Sequence, residues 1–323
     1  MEGRPPCRPR LLFQRVAFEI PSDQRPTFPL VIGHCSLVTS ALPPVSASST
    51  ETARPLSVHA ATPLRRPLAF KIWFYWTVAA KITGTVLFLR GHHTLAPFVF
   101  FSGAPWLLWQ FLVPTSHGFG PAIRRFRTDR LEIWLTIDDG PDPATTPRVL
   151  DLLDQHRARA TFFLIGENAA RHPALVVEIL RRGHTLGNHT HTHPHGTYWG
   201  ALPSATGAQM DNCDAAIRAV GAPSPRWFRP PVGLKSLSLH PQLAKRGLEL
   251  VLWSARGYDT QTRDPDAAVR RIRHSLTPGA IILAHESGPP GSPRVEVIAR
   301  LLARLTADGY RCVIPSAESL ERT

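Results

Sequence analysis

From Leu131 onward the sequence predicts an α/β domain, a parallel barrel or wound sheet of about seven strands. Three observations predict it. Short apolar or β-rich runs recur at residues 132–137, 160–165, 185–188, 226–229, 248–253, 280–284 and 310–314. Helical patterns fill the intervals at 147–156, 173–182, 205–220, 237–246, 265–275 and 294–308. Gly183, Gly247, Gly279 and Gly309 stand between a helical pattern and the next run, as helix stops do. In such folds the functional side chains gather at the C-terminal ends of the strands.

Two different segments precede this domain. Residues 1–66 are rich in Pro, Ser, Thr, Ala and Arg, without a sustained period, and read as a disordered low-complexity N-terminus. Their Arg-rich, acid-poor start also fits a targeting peptide or a non-native extension. Residues 68–114 are apolar. Thr94 to Pro114 runs 21 residues without a formal charge, enough to span a bilayer core, and Trp106 and Trp109 suit an interface. Ile72 to Leu89 is apolar except for Lys81, and a charge near mid-span makes it the weaker candidate. Pro97 and Pro105 also permit a re-entrant or surface-bound element. Arg65, Arg66 and Lys71 flank the region on one side and Arg124, Arg125, Arg127 and Arg130 on the other, with only Arg90 between. That distribution favours a two-helix hairpin with both ends cytoplasmic over a single span, which would export the C-terminal domain.

The formal charge of +13 is uneven. Residues 1–130 hold 15 Lys/Arg against 5 Asp/Glu, and residues 131–323 hold 22 against 19. A nucleic-acid binder would carry its basic excess on the folded domain, so nucleic acid is not expected as a partner. Cys7, Cys35, Cys213 and Cys312 show no CxxC spacing and are too few for a disulfide scaffold.

The chemistry lies at the strand ends. Asp138 and Asp139 close the first run and Gly140-Pro141 turns the chain away. Adjacent strand-end residues point in different directions, so one carboxylate is free to ligate a metal while its neighbour faces a substrate. Taken alone, Asp-Asp-Gly-Pro is also an ordinary turn. His189 and His193 follow the third run, and a spacing of four lets two imidazoles reach one ion. His191 and His195 offer other pairings, and an exposed histidine-rich loop has the same composition. Two imidazoles and a carboxylate make a three-ligand zinc set with one position open for water. Arg229 ends the fourth run before Pro230-Pro231-Val232-Gly233, where it can pair with a carboxylate and lower its pKa. Asp259 follows the fifth run. His285 ends the sixth, where a near-neutral pKa suits a general acid. Singly, Arg229 reads as a surface residue on a proline turn and His285 as a satisfied strand-end histidine.

Taken in order, Thr-Ile-Asp-Asp-Gly-Pro, His-Thr-His-Thr-His, Arg-Pro-Pro-Val-Gly, the run leading to Asp259 and Leu-Ala-His resemble the polysaccharide deacetylase (NodB-homology, carbohydrate esterase family 4) domain. The resemblance covers residues 131–315 and leaves 316–323 as a tail. It implies a distorted (β/α) barrel, one divalent metal ion (zinc first, cobalt or manganese otherwise) and removal of N- or O-acetyl groups from sugars. By position it implies Asp138 as general base and Asp139, His189 and His193 as metal ligands. Arg229 matches the arginine that tunes the base, and the backbone N–H of Val232 an oxyanion donor. His285 matches the general acid and Asp259 the carboxylate that orients it. Three positions depart from the family: Val232 replaces a tyrosine, Arg256 stands where an acid often lies, and Thr260 replaces an aromatic wall of the substrate groove.

The sequence thus predicts a metal-dependent deacetylase attached through residues 68–114 to a membrane, a bacterial inner membrane, with the side of the catalytic domain open. Its substrate is an acylated sugar, glycan or lipid-linked sugar. A hydrolase of a non-sugar amide and a non-catalytic glycan-binding scaffold are the competing readings. The sequence does not address oligomeric state.

Overall fold

The structure, a computed structural model, describes residues 66–323, so the readings made for residues 1–65 lie outside the described residues. The described chain opens with α1 (Leu68–Leu89), followed by two short helices, α2 (Leu95–Phe100) and α3 (Ala104–Leu112). α1 folds back along both. Trp73 stacks on Trp106 with ring centroids 4.9 Å apart and donates its Nε1–H to Gly103 O. Trp76 donates to Ser102 Oγ. Gly84 permits the close approach of α2, because a Cβ there would lie 2.8 Å from Phe100 Cβ and 3.0 Å from Ala96 O.

The uncharged stretch at 94–114 is therefore not one continuous helix. Pro97 and Pro105 each fall in the first turn of a short helix, where a missing N–H costs no intrahelical bond, and the chain turns at Phe101–Gly103. The expected ranking of the two apolar segments is reversed. Among the described residues α1 is the one helix long and apolar enough to cross a membrane, by length and composition only. Lys81 does not interrupt it, since its Nζ packs over the Phe100 ring at 4.1 Å.

The second part is a parallel α/β half-barrel. Its elements run β1 (Ile123–Phe126), β2 (Glu132–Gly140), α4 (Thr146–Gln155), β3 (Ala160–Leu164), α5 (Gly166–Arg171), α6 (Pro173–Arg181) and β4 (Thr185–Asn188). They continue with α7 (Pro203–Arg218), β5 (Trp227–Phe228), α8 (Leu239–Arg246), β6 (Glu249–Leu250), β7 (Ala255–Arg256), α9 (Pro265–His274), β8 (Ile281–His285), α10 (Arg294–Ala307), β9 (Arg311–Cys312) and β10 (Leu320–Arg322). The strand order is β6-β5-β4-β3-β2-β8-β7, with β9 against the start of β2. The expected fifth strand at 248–253 is cut down to β6, and β7, just beyond it, lies at the opposite end of that order. β1 and β10, which no sequence pattern announced, pair antiparallel, and Ile123, Phe126 and Leu320 join the buried core. The four stop glycines adopt φ of +79° at Gly183, +62° at Gly247, +77° at Gly279 and +77° at Gly309, a left-handed conformation open to glycine without strain.

Period-two alternation explains how β2 serves both core and site. Ile133, Leu135 and Ile137 pack with residues of α4, α6 and α10 in one buried cluster. Trp134, Thr136 and Asp138 point to the other face. Trp134 joins Phe163, Trp227 and Ile281 in the barrel interior. Its Nε1–H donates to Thr161 Oγ1 at 2.7 Å, so the large apolar ring leaves no orphaned donor.

Candidate active site

The interior column of β2 ends at the site. Thr136 and Asp138 are both buried, and Asp138 stands in register with His285 on β8 and Phe163 on β3. Arg229, fully buried just after β5, reaches across the interior to them. Its Nη1 donates to Asp138 Oδ1 at 2.6 Å and to Thr136 Oγ1 at 2.9 Å, its Nε to Val251 O at 3.0 Å and its Nη2 to Leu252 O at 3.2 Å. The Phe163 ring lies 4.2 Å from its Cζ. A guanidinium so far from water is tolerable only because its donors are matched.

Burial raises the Asp138 pKa; Arg229, His285 and His193 pull it down, and the net direction is upward. Arg229 pairs with the carboxylate and lowers its pKa, as the sequence led us to expect, but the cost of burying the carboxylate outweighs the ion pair. An upward shift makes Asp138 a stronger proton acceptor.

Asp139 breaks from the strand. It has φ of +75° and sits where the β2–β3 register shifts. Its Oδ1 is buried without a hydrogen-bond partner. Facing it are His189 Nε2 at 3.6 Å and His193 Nε2 at 3.5 Å. His189 donates its Nδ1–H to Arg229 O at 2.8 Å, which leaves Nε2 as the lone-pair nitrogen. Burial first, then the neighbouring His193, holds the His189 pKa down at about 3, and burial also lowers that of His193. Both rings are therefore neutral at pH 7, the form that binds metal. One orphaned carboxylate oxygen and two neutral ring nitrogens, all within 4.8 Å of one another, fit a divalent cation. His191 is not in this group; its Nδ1 lies against Gly166.

His285 is anchored by Asp259. Its Nδ1 lies 3.0 Å from Asp259 Oδ1, and its backbone N–H donates to Oδ2 at 2.8 Å. Burial alone would lower the His285 pKa, but Asp259, with Asp139 and Asp138, raises it to about 9. His285 is thus an imidazolium at neutral pH. Val232 occupies a tight turn at Pro231–Gly233 with φ of +53°, its side chain exposed at the rim. Tyr258, just before Asp259, has φ of +56°. Of the six non-glycine residues with positive φ among the described residues, Asp139, Thr190, His193, Val232 and Tyr258 belong to these loops. Backbone strain of this kind persists where surrounding structure over-determines it, and it clusters at functional sites.

Three further residues went unread in the sequence. Thr136 orients Arg229. Arg294, from α10, places Nη1 3.4 Å from Asp139 Oδ2. Glu286 is buried behind Gly140, where a Cβ would overlap its Oε1, and its pKa is pushed up to about 8, by burial first. A neutral Glu286 adds no second charge beside Asp139. Its place directly after His285 was the one available signal; Arg294 had none.

A parallel half-barrel with an Asp-His-His cluster, a buried carboxylate and an imidazolium at its mouth has the make-up of a metal-dependent hydrolase. The family model described as polysaccharide deacetylase matches residues 126–251. The chain is 38% identical over 163 residues to a chitooligosaccharide deacetylase of Bradyrhizobium sp., covering 50% of this chain and 74% of that one. It is 35% identical over 187 residues to a peptidoglycan-N-acetylglucosamine deacetylase of Bacillus cereus, covering 57% and 86%. A crystal structure of a peptidoglycan N-acetylglucosamine deacetylase superposes with a TM-score of 0.55 at 28% identity, covering 59% of this chain and 89% of that one. The chain belongs to the polysaccharide deacetylase family and is a hydrolase that removes acetyl groups from sugars.

Proposed function

We propose that the chain deacetylates an N-acetylglucosamine-containing or related acylated sugar, with zinc held by Asp139, His189 and His193. The observation that carries this reading is the register of β2 and β8, which sets Asp138 and His285 side by side next to the three ligand-type atoms. Bound there, zinc would polarise the acyl carbonyl and acidify a water.

The chain's own groups then divide the proton work. Asp138 has Oδ1 held by Arg229, and its Oδ2 takes the proton of the attacking water. The backbone N–H of Val232 stabilises charge on the carbonyl oxygen. His285, its Nδ1 held by Asp259, delivers the proton from Nε2 to the leaving amine or alkoxide. Support for the substrate class comes from the relatives, which are named for chitooligosaccharide and peptidoglycan. Support for a membrane partner comes from α1 to α3, where Leu68, Ile72, Tyr75, Phe98, Trp109 and Leu112 are all exposed, more apolar side chains than a soluble surface usually leaves uncovered on three helices.

The test is acetate release from N-acetylated chitooligosaccharides and peptidoglycan fragments by the zinc-loaded full chain in mild detergent. We expect turnover that Asp138→Asn reduces by on the order of a thousandfold. Equal inertness of both proteins across the panel would remove the reading.

A further inference from the structure

The half-barrel does not close between β6 and β7. β1 enters that seam: Ile123 bridges Val251 and Arg125 bridges Ala280. Between them lies Arg124, where the register of β1 on β10 shifts. It lines a groove of about 750 Å³. The groove also holds Arg256, Tyr258, Arg270, Arg271 and His274, and no Asp or Glu lines it. Its far wall is Val113–Thr115, directly after α3.

The cations here are only partly satisfied. Arg124 Nε is buried without a hydrogen-bond partner. Arg256 is held flat, with its Cζ 4.0 Å from the Tyr258 ring centroid and 5.7 Å from that of Trp253, and its Nη2 donates to Tyr258 Oη. Arg271 spends one Nη1 donor on Gly257 O at 3.3 Å. Arg270 is partly neutralised, since Asp264 lies 3.3 Å away on the exposed side. The positive field reaches inward: burial first, then Arg124, lowers the pKa of Lys235 to about 7.

The groove also adjoins the catalytic machinery. Tyr258 immediately precedes Asp259. The Trp253 ring lies between Arg256 and Arg229, with each Cζ 5.7 Å from its centroid. Its Val113–Thr115 wall directly follows α3, on which Leu108, Trp109 and Leu112 are exposed.

We propose that the seam groove is a binding site for a phosphate or diphosphate ester. Guanidinium groups offer paired donors that match phosphate oxygens, and three of the four arginines are held by strand, ring stacking or backbone. The volume suits a group of sugar-phosphate size. An exposed apolar helix that ends where the groove's wall begins suits an ester carried on a hydrocarbon chain. The ester has two possible sources: the headgroup of an anionic lipid, or a phosphate on the acylated sugar itself. The second rests on the deacetylase reading above; the anion site does not.

The experiment titrates the metal-free full chain with inorganic pyrophosphate by calorimetry, so that binding to an active-site cation does not enter. We expect one site, weakened about tenfold or more by Arg124→Gln and by Arg256→Gln, and weakened less by Arg124→Lys, which keeps the charge but loses the paired donors. No saturable heat with the wild-type chain would overturn the proposal, even if a variant failed to fold. Equal affinity in the wild type and both Gln variants would overturn it too. Two further arms identify the source. Pyrophosphate-sensitive, Arg124-dependent flotation with phosphatidylglycerol but not phosphatidylcholine vesicles identifies a lipid headgroup. An Arg124-dependent preference for N-acetylglucosamine 1-phosphate over N-acetylglucosamine in kcat/KM identifies the substrate. Arginine dependence in neither arm would make pyrophosphate an adventitious ion only and overturn the site.

Discussion

The mouth of the half-barrel and the helices that precede it invert the usual burial rule in opposite senses. At the mouth, Asp138, Arg229, Asp259 and Glu286 are buried, although charged side chains are seldom taken out of water unpaired. Along α1 to α3, Trp76, Ile82, Phe98 and Trp109 lie exposed. The first inversion is tolerated because each charge has a matched partner or a shifted pKa. The second has no partner among the described residues, which is why a lipid surface is proposed for it. Lys235 joins the two regions: its Nζ donates to Val113 O, Pro114 O and Gly233 O, tying the end of α3 to the loop that carries Val232.

The sharpest way to break this comparison is to remove one charge at the mouth. Arg229→Met leaves Asp138 buried beside unmatched carbonyls and should cost about 3–5 kcal/mol in urea unfolding, with activity lost as well. A cost near zero would show that Asp138 is neutral in the resting chain. Lys235→Met acts on the junction and should cost about 1–3 kcal/mol, because three carbonyls lose their donor.

Asp259→Asn leaves the fold intact but changes the acid. In the proposed mechanism His285 acts as an acid only when protonated, and its folded pKa is raised to about 9, so activity in the wild-type chain should fall as pH rises through that value. Without the Asp259 charge the alkaline limb should move down toward the ordinary histidine range, about 6.5. A pH–kcat profile reads this directly, and an unmoved limb would assign it to another group. The smallest effect on chemistry is expected from Gly84→Leu, which forces α1 from the backbone of α2. Turnover of a soluble oligosaccharide should stay within about twofold, while association with vesicles changes, if the apolar helices serve attachment alone.

Much of the mouth was legible because strand-end chemistry is local. Asp138-Asp139 before Gly-Pro and the paired histidines lie within a few residues of the apolar runs that place them. What escaped was non-local. β1 and β10 pair across almost the whole domain, and each is too short to show a period. The run at 248–253 reads as one strand because its apolar character is continuous, yet the strand ends at Leu250 and the chain crosses the barrel seam before β7 at Ala255. Arg294 approaches Asp139 from a helix 155 residues later, which no spacing announces. Pro97 and Pro105 permit a re-entrant or surface-bound element on sequence grounds; in the fold they lie in the first turns of two short helices, which Trp73 and Gly84 of α1 contact.

The most direct test compares the two neighbours that began as one motif. Bound zinc and acetate release are measured side by side for Asp138→Asn and Asp139→Ala in the full chain. Expected is an Asp138→Asn protein that keeps stoichiometric zinc and releases almost no acetate, and an Asp139→Ala protein that loses the metal. Equal zinc loss in both, or zinc retained in Asp139→Ala, would contradict the division of the pair into a base and a ligand.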